Sequence, residues 1–205
     1  MVHRTCPTTT TVIRFGSLRG AIHLVRHGEV FNPRGIRYGR LPGFHLSERG
    51  RRQIAATRQR LLELGPIDRV VSSPLERAVE TAEILAASLP IQLDERVTEA
   101  WSLLDGLSKL APLWPSSWRH FTNPFQPSWG EPFAHVADRM ARAIAELRGG
   151  GTVVIVSHQS PIWIARHARR SSGPPWTSRI RCERGSVTTL AADGSDLYWS
   201  PPQRG

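Results

Sequence analysis

The chain has 205 residues, 40% of them hydrophobic and 21% charged, with a formal net charge of +10. That length suits one ordinary domain, and the apolar fraction is enough to bury a core, which excludes wholesale disorder. No apolar run approaches the ~18 residues a membrane-spanning helix needs. The two cysteines, Cys6 and Cys182, can build neither a disulfide scaffold nor a zinc site alone, so a reducing cytoplasm is the expected compartment.

Residues 1–20 are basic, threonine-rich and free of acid, and read as a flexible extension without the apolar stretch of a secretory signal. Ala21-Ile22-His23-Leu24-Val25 then reads as a short buried strand that ends at Arg26-His27-Gly28. A glycine- and proline-rich loop runs from Asn32 to Gly43. Ser47 has the form of an N-cap opening a helix to about Leu64, with Ile54, Leu61 and Leu62 as its buried stripe and Gly65-Pro66 as its stop. Residues 69–72 form the next expected strand. Ser73-Pro74-Leu75-Glu76 has the pattern of a helix start, with a capping serine, proline at the first position and a capping-box glutamate. That helix is expected to reach about Ala87, with a third strand at 91–94.

From 101 to 133 the pattern changes. Trp101, Trp114, Trp118 and Trp129 lie among prolines with little periodicity, which predicts an irregular aromatic excursion that caps a cleft or packs a satellite core. Helical spacing returns with Val136, Met140, Ile144 and Leu147 and ends at the glycines 149–151. Residues 152–156 (Thr-Val-Val-Ile-Val) form the clearest buried strand, Ser160-Pro161 opens another helix, and 187–190 closes the core. Strands and helices alternate throughout. The expected fold is therefore α/β, with a mostly parallel central sheet flanked by helices in a single domain over 21–200.

Three motifs stand where an expected strand hands over to the next loop or helix: Arg26-His27-Gly28-Glu29, Ser72 to Arg77, and Ser157-His158-Gln159. In open α/β sheets, ligands bind beside the carboxyl ends of strands, so these motifs can share one cleft. Together they bring Arg26, Arg77, His27 and His158, an anion site with a candidate nucleophile. Phosphoryl transfer needs such a set, because the moving group spreads charge over three oxygens that must be held and neutralised. The charge balance agrees: 27 basic residues, with Lys109 the only lysine, face 17 acidic ones. That surplus favours an anionic partner, and arginine is the better fork for phosphate. The arginines are scattered and match no nucleic-acid motif, so a nucleic-acid-binding protein is the remote alternative from another class.

The residues LVRHGEV at 24–30, Asn32, GIRYGRLPGFHLSERGRRQ at 35–53, VVSSPLERAVETA at 70–82 and VIVSHQ at 154–159 resemble the histidine phosphatase (phosphoglycerate mutase-like) superfamily. The resemblance runs in the family's order over about 21–190 and implies its three-layer sandwich. It makes His27 the nucleophile, Arg26, Arg77 and His158 the phosphate pocket, and Asn32 an auxiliary contact. It places the general acid at Glu99, in Val97-Thr98-Glu99-Ala100-Trp101, with Glu131 as second choice and Glu95 and Asp105 behind it.

Imidazole attack requires a neutral ring with one nitrogen tied to a backbone acceptor, while a carboxylic acid protonates the leaving oxygen and later activates water. No metal or other cofactor is expected, because arginine and histidine supply the positive charge and no carboxylate cluster is visible. The expected reaction is hydrolysis of a small phosphomonoester, with the substrate and oligomeric state left open, a homodimer included. Phosphoglycerate mutase chemistry is the alternative within the family. It is disfavoured because EAWSLLDG stands at 99–106 where mutases usually carry an ERxYG-type signature. A silent phospho-ligand binder is a further alternative, which the retained histidines and arginines oppose.

Overall fold

The structure, a computed structural model, describes residues 20–108, 130–170, 181–191 and 196–203. The expected extension at 1–20 and the centre of the aromatic excursion, with Trp114, Trp118 and Trp129, lie outside these residues apart from Gly20.

Among the described residues six strands form one sheet: β1 (Ile22–Arg26), β2 (Arg69–Ser72), β3 (Ile91–Leu93), β4 (Val153–Ser157), β5 (Val187–Leu190) and β6 (Asp196–Trp199), in the order β3-β2-β4-β1-β5-β6. The first four in that order run parallel, while β5 pairs antiparallel with β1 and β6 antiparallel with β5. All five residues of β4 are buried, as an apolar run inside a sheet covered on both faces requires.

Helices α1 (Glu48–Leu64) and α2 (Glu76–Ala86) pack together, as do α3 (Phe133–Leu147) and α4 (Gln159–Arg170). The core divides accordingly. Ile54, Leu61, Ala78, Ala82 and Leu85 join Val154 and Val156 in one cluster, whereas Met140, Ile144, Leu147 and Ile162 join Val153 and Ile155 in the other. Adjacent β4 residues point to opposite faces, so the strand serves both clusters and the result is a three-layer sandwich. Each large aliphatic side chain so buried contributes about 1.5–3 kcal/mol.

Helix α1 begins as expected, with the Ser47 hydroxyl accepting from the Gly50 N–H at 3.0 Å. Its buried side is Gly50, Gln53, Ile54, Thr57 and Leu61, whereas Leu62 is 51% exposed rather than part of the stripe. Gly50 must be a glycine, because a Cβ there would stand 2.1 Å from the carbonyl oxygen of Glu29. The second helix start differs from expectation. Regular helix begins at Glu76, and Ser73 caps only weakly, accepting from the Leu75 N–H at 3.4 Å. Glu76 closes no capping box and instead accepts from the Gly43 N–H at 3.0 Å.

The parallel register sets the site. Arg26 lies opposite Ser157 across β1 and β4, and Ser72 opposite Val156 across β2 and β4. His27, Ser73 and His158 therefore leave the sheet side by side at one edge.

Candidate active site

His27 follows β1 and is 1% exposed. Its main chain is clamped on two sides: the N–H donates to the Ser157 carbonyl at 3.1 Å, and the carbonyl accepts from the Gly185 N–H at 3.2 Å. The ring Nδ1 lies 2.7 Å from the carbonyl oxygen of Gly28. A carbonyl only accepts, so Nδ1 carries the hydrogen and Nε2 keeps its lone pair. Burial first, then the positive charges of Arg77 and Arg26, hold the His27 pKa well below the usual histidine range, so the ring is neutral at pH 7.

Arg77, near the start of α2, is fully buried. Its Nη2 donates to the Gly39 carbonyl and its guanidinium carbon sits 4.8 Å from the Tyr38 ring centroid. Nε and Nη1 are buried without a hydrogen-bond partner. Such orphaned cationic donors are costly to bury, and an oxyanion is the group that satisfies them. Gly39 takes φ +34°, and a Cβ there would fall 2.0 Å from the Asp105 carboxylate, so the carbonyl that holds Arg77 depends on glycine.

Arg26 donates from Nη1 to the Cys182 carbonyl at 2.6 Å, and its Nε is buried without a partner. His158, fully buried after β4, lies with its ring 5.2 Å from that of His27 and its Nε2 2.8 Å from the Ser73 hydroxyl. Burial, with Arg77 the largest of the nearby charges, also lowers its pKa far below the usual range. The four side chains at 26, 27, 77 and 158 thus come together.

Glu99 lines the same cavity of about 300 Å³ as Arg26 and His27. Burial pushes its carboxyl pKa up, and the Ala100 N–H, the Ser160 hydroxyl and the two arginines pull the other way. Glu131 and Asp105 line the cavity too, in different states. Glu131 is gripped by Arg139 at 2.9 and 3.0 Å and by Arg40 at 3.2 Å, which ties it up as an ion pair. Asp105 accepts from the Arg40 N–H at 3.1 Å. Glu95 and Asn32 do not line it. The Asn32 side chain closes its own loop, donating to the Ile36 carbonyl at 2.8 Å and accepting from the Ile36 N–H at 3.3 Å, and it faces a neighbouring cavity.

Several lining residues went unremarked in the sequence. Tyr38 stands beneath Arg77 with its ring 6.2 Å from that of His27. Arg184 lines the cavity, pairs with Glu29 at 3.1 Å and adds to the field on His27. Ser160, read there as a helix opener, donates to Glu99. The sequence carried a faint signal for Ser160 alone, a hydroxyl two residues past His158. Trp101, the tryptophan of the excursion that falls among the described residues, lines the cavity and is 42% exposed. Among the described residues no three histidine, cysteine, aspartate or glutamate side chains converge as a metal-binding group, and no helix is long and apolar enough to cross a membrane.

A mostly parallel α/β sheet that gathers two histidines and two arginines at the carboxyl ends of its central strands defines an anion-holding class of site. Residues 22–199 match the model of the histidine phosphatase superfamily (branch 1), and the chain belongs to that superfamily. It is 43% identical over 197 residues to an uncharacterized protein of Mycobacterium tuberculosis, covering 88% of this chain and 96% of that one. It is 30% identical over 207 residues to the adenosylcobalamin/alpha-ribazole phosphatase of Salmonella typhimurium, covering 87% and 98%. The solved structure of a mycobacterial glucosyl-3-phosphoglycerate phosphatase superposes with a TM-score of 0.67 at 26% identity, covering 83% of this chain and 89% of that one. By sequence and fold the chain therefore belongs to the histidine phosphatase superfamily, among relatives named as phosphatases.

Proposed function

We propose that this phosphatase hydrolyses a small phosphomonoester through a phosphohistidine on Nε2 of His27, without a metal ion. The observation that carries the reading is the His27 ring itself, whose Nδ1–H is committed to Gly28 while Nε2 keeps its lone pair beside two arginines with unpartnered N–H groups.

In the first step Nε2 attacks phosphorus and the bond to the leaving oxygen breaks. Arg26 and Arg77 hold the equatorial oxygens, and Glu99, whose carboxyl pKa burial raises, gives its proton to the leaving oxygen. In the second step the Glu99 carboxylate takes a proton from water as that water attacks phosphorus. The P–N bond breaks, inorganic phosphate departs and Glu99 is again an acid. Glu131, tied up by two arginines, suits a wall better than a proton donor. The substrate class is supported also by the two phosphatases compared above, whose names specify phosphate esters of small molecules.

The test is turnover of p-nitrophenyl phosphate in excess EDTA, together with labelling by a phosphorylated substrate. The label should be acid-labile and alkali-stable, and absent from His27→Ala. Activity lost on chelation, or a label that survives the substitution, refutes the reading.

A further inference from the structure

His158 is connected to the protein surface by a file of hydroxyls. Its Nε2 lies 2.8 Å from the Ser73 hydroxyl, which lies 3.4 Å from that of Thr98, which lies 3.2 Å from a carboxylate oxygen of Glu95. Ser73 and Thr98 are buried, and Glu95 is exposed. The other ring nitrogen, Nδ1, is buried and has no partner.

The direction of this file follows from counting hydrogens. A carboxylate only accepts, so Thr98 donates to Glu95. A hydroxyl has one hydrogen, so Thr98 can only accept from Ser73, and Ser73 in turn can only accept from the imidazole. The hydrogen between His158 and Ser73 therefore belongs to Nε2. In the neutral ring this leaves a lone pair on Nδ1, which would repel a phosphoryl oxygen. Only the doubly protonated ring satisfies Ser73 and an oxyanion together.

We propose that Glu95, acting through Thr98 and Ser73, fixes the tautomer of His158 so that the site binds its anion with an imidazolium, taking up one proton from solvent at Nδ1. The N–H bond forms at Nδ1 as the anion arrives, the ligand oxygen accepts that hydrogen, and the proton returns to solvent when phosphate leaves. The anion supplies the opposing charge that makes this protonation favourable. The other charged or titratable groups around His158 are Arg77 from α2, His27 and Arg26 from the end of β1, and Arg139 from α3. All but His27 are fixed cations, and they disfavour the imidazolium until the anion offsets them. Glu95 touches neither substrate nor reacting atoms and is a positioning residue.

This inference rests on the phosphate-binding reading of the site, and sulfate separates the two because its charge is constant across neutral pH. Sulfate should compete with p-nitrophenyl phosphate, and its inhibition constant in the wild-type enzyme should rise about tenfold per pH unit between pH 6 and 8 for each proton taken up. In Glu95→Gln the side-chain amide can donate to Thr98 and reverse the file, so neutral His158 can present Nδ1–H. Thr98→Ala frees the Ser73 hydrogen for Nε2 with the same result. Both variants should show a dependence shallower by about one decade per pH unit. Sulfate that competes with equal slopes in all three proteins overturns the relay. Sulfate and inorganic phosphate that both fail to compete overturn the phosphate site itself.

Discussion

Arg77 offers the sharpest test of the site, because the structure shows what its guanidinium does and does not touch. One donor goes to Gly39, and Nε and Nη1 are buried without partners. If a phosphoryl group fills both positions, two charge-assisted hydrogen bonds form, each contributing about 1.5–3 kcal/mol. Together they come to about 3–6 kcal/mol, or roughly two to four decades of affinity at about 1.4 kcal/mol per decade. Arg77→Met removes both donors and leaves a side chain that packs, so the variant should fold. The assay is urea unfolding with inorganic phosphate at about a hundred times the wild-type dissociation constant. Binding at that level should stabilise the wild-type protein by about 2.7 kcal/mol. A hundredfold loss of affinity brings the gain in Arg77→Met down to about 0.4 kcal/mol by the same relation. Arg77→Lys keeps the charge without the planar fork and should fall between. Equal protection of wild type and Arg77→Met would show that the two orphaned donors do not face the anion.

Glu99→Gln should lower kcat/KM for alkyl phosphates by about 10²–10⁴, the range for a lost general acid, and much less for p-nitrophenyl phosphate, whose leaving oxygen needs no proton. Because the protonated carboxyl is the donor and burial raises its pKa, the wild-type rate on alkyl esters should fall as pH rises through that raised value; the variant should lack this limb. Equal losses on both ester types would move the acid elsewhere. Gly50→Ala should destabilise the fold by about 1–3 kcal/mol in urea unfolding, because the added Cβ meets backbone atoms of Glu29 at 2.1 and 2.8 Å that cannot turn aside. A change below about 0.5 kcal/mol would mean that the two segments separate freely.

The elements nearest the chemistry were those most legible in the sequence. β1 and β4 are short apolar runs, and Ser47 and Gly65 bracket α1 by local rules that the fold leaves intact. Ser73 was misread for a reason tied to the site. A hydroxyl that satisfies the pattern of a helix cap is held instead beside His158 and Thr98, so the regular turn waits until Glu76. β6 was missed because its residues, Asp-Leu-Tyr-Trp, lie half-buried at the edge of the sheet, paired among the described residues with β5, and so form no apolar run of the kind that marks β1 and β4. The residues at 26, 27 and 158 were found because each sits at a strand's end, and Arg77 because it stands near the start of the helix after β2, whereas Tyr38 and Arg184 reach the site from loops whose placement depends on the finished fold. Asn32 shows the converse. Its position in the motif is right, but its amide is consumed by the turn to Ile36.

The seating of His27 has a consequence for how the protein comes into being. The Gly185 N–H donates to the carbonyls of Arg26 and His27, the Arg26 N–H donates to the Ser186 carbonyl, and the Arg26 guanidinium donates to that of Cys182. Residues made earlier are thus seated by residues made much later. A nascent chain that has delivered everything through α4 already carries both histidines and both arginines, yet lacks the segment that pins them. The contacts that hold His27 therefore wait for the segment at 182–186, and a chain stalled before residue 182 lacks the frame on which the proposed chemistry depends.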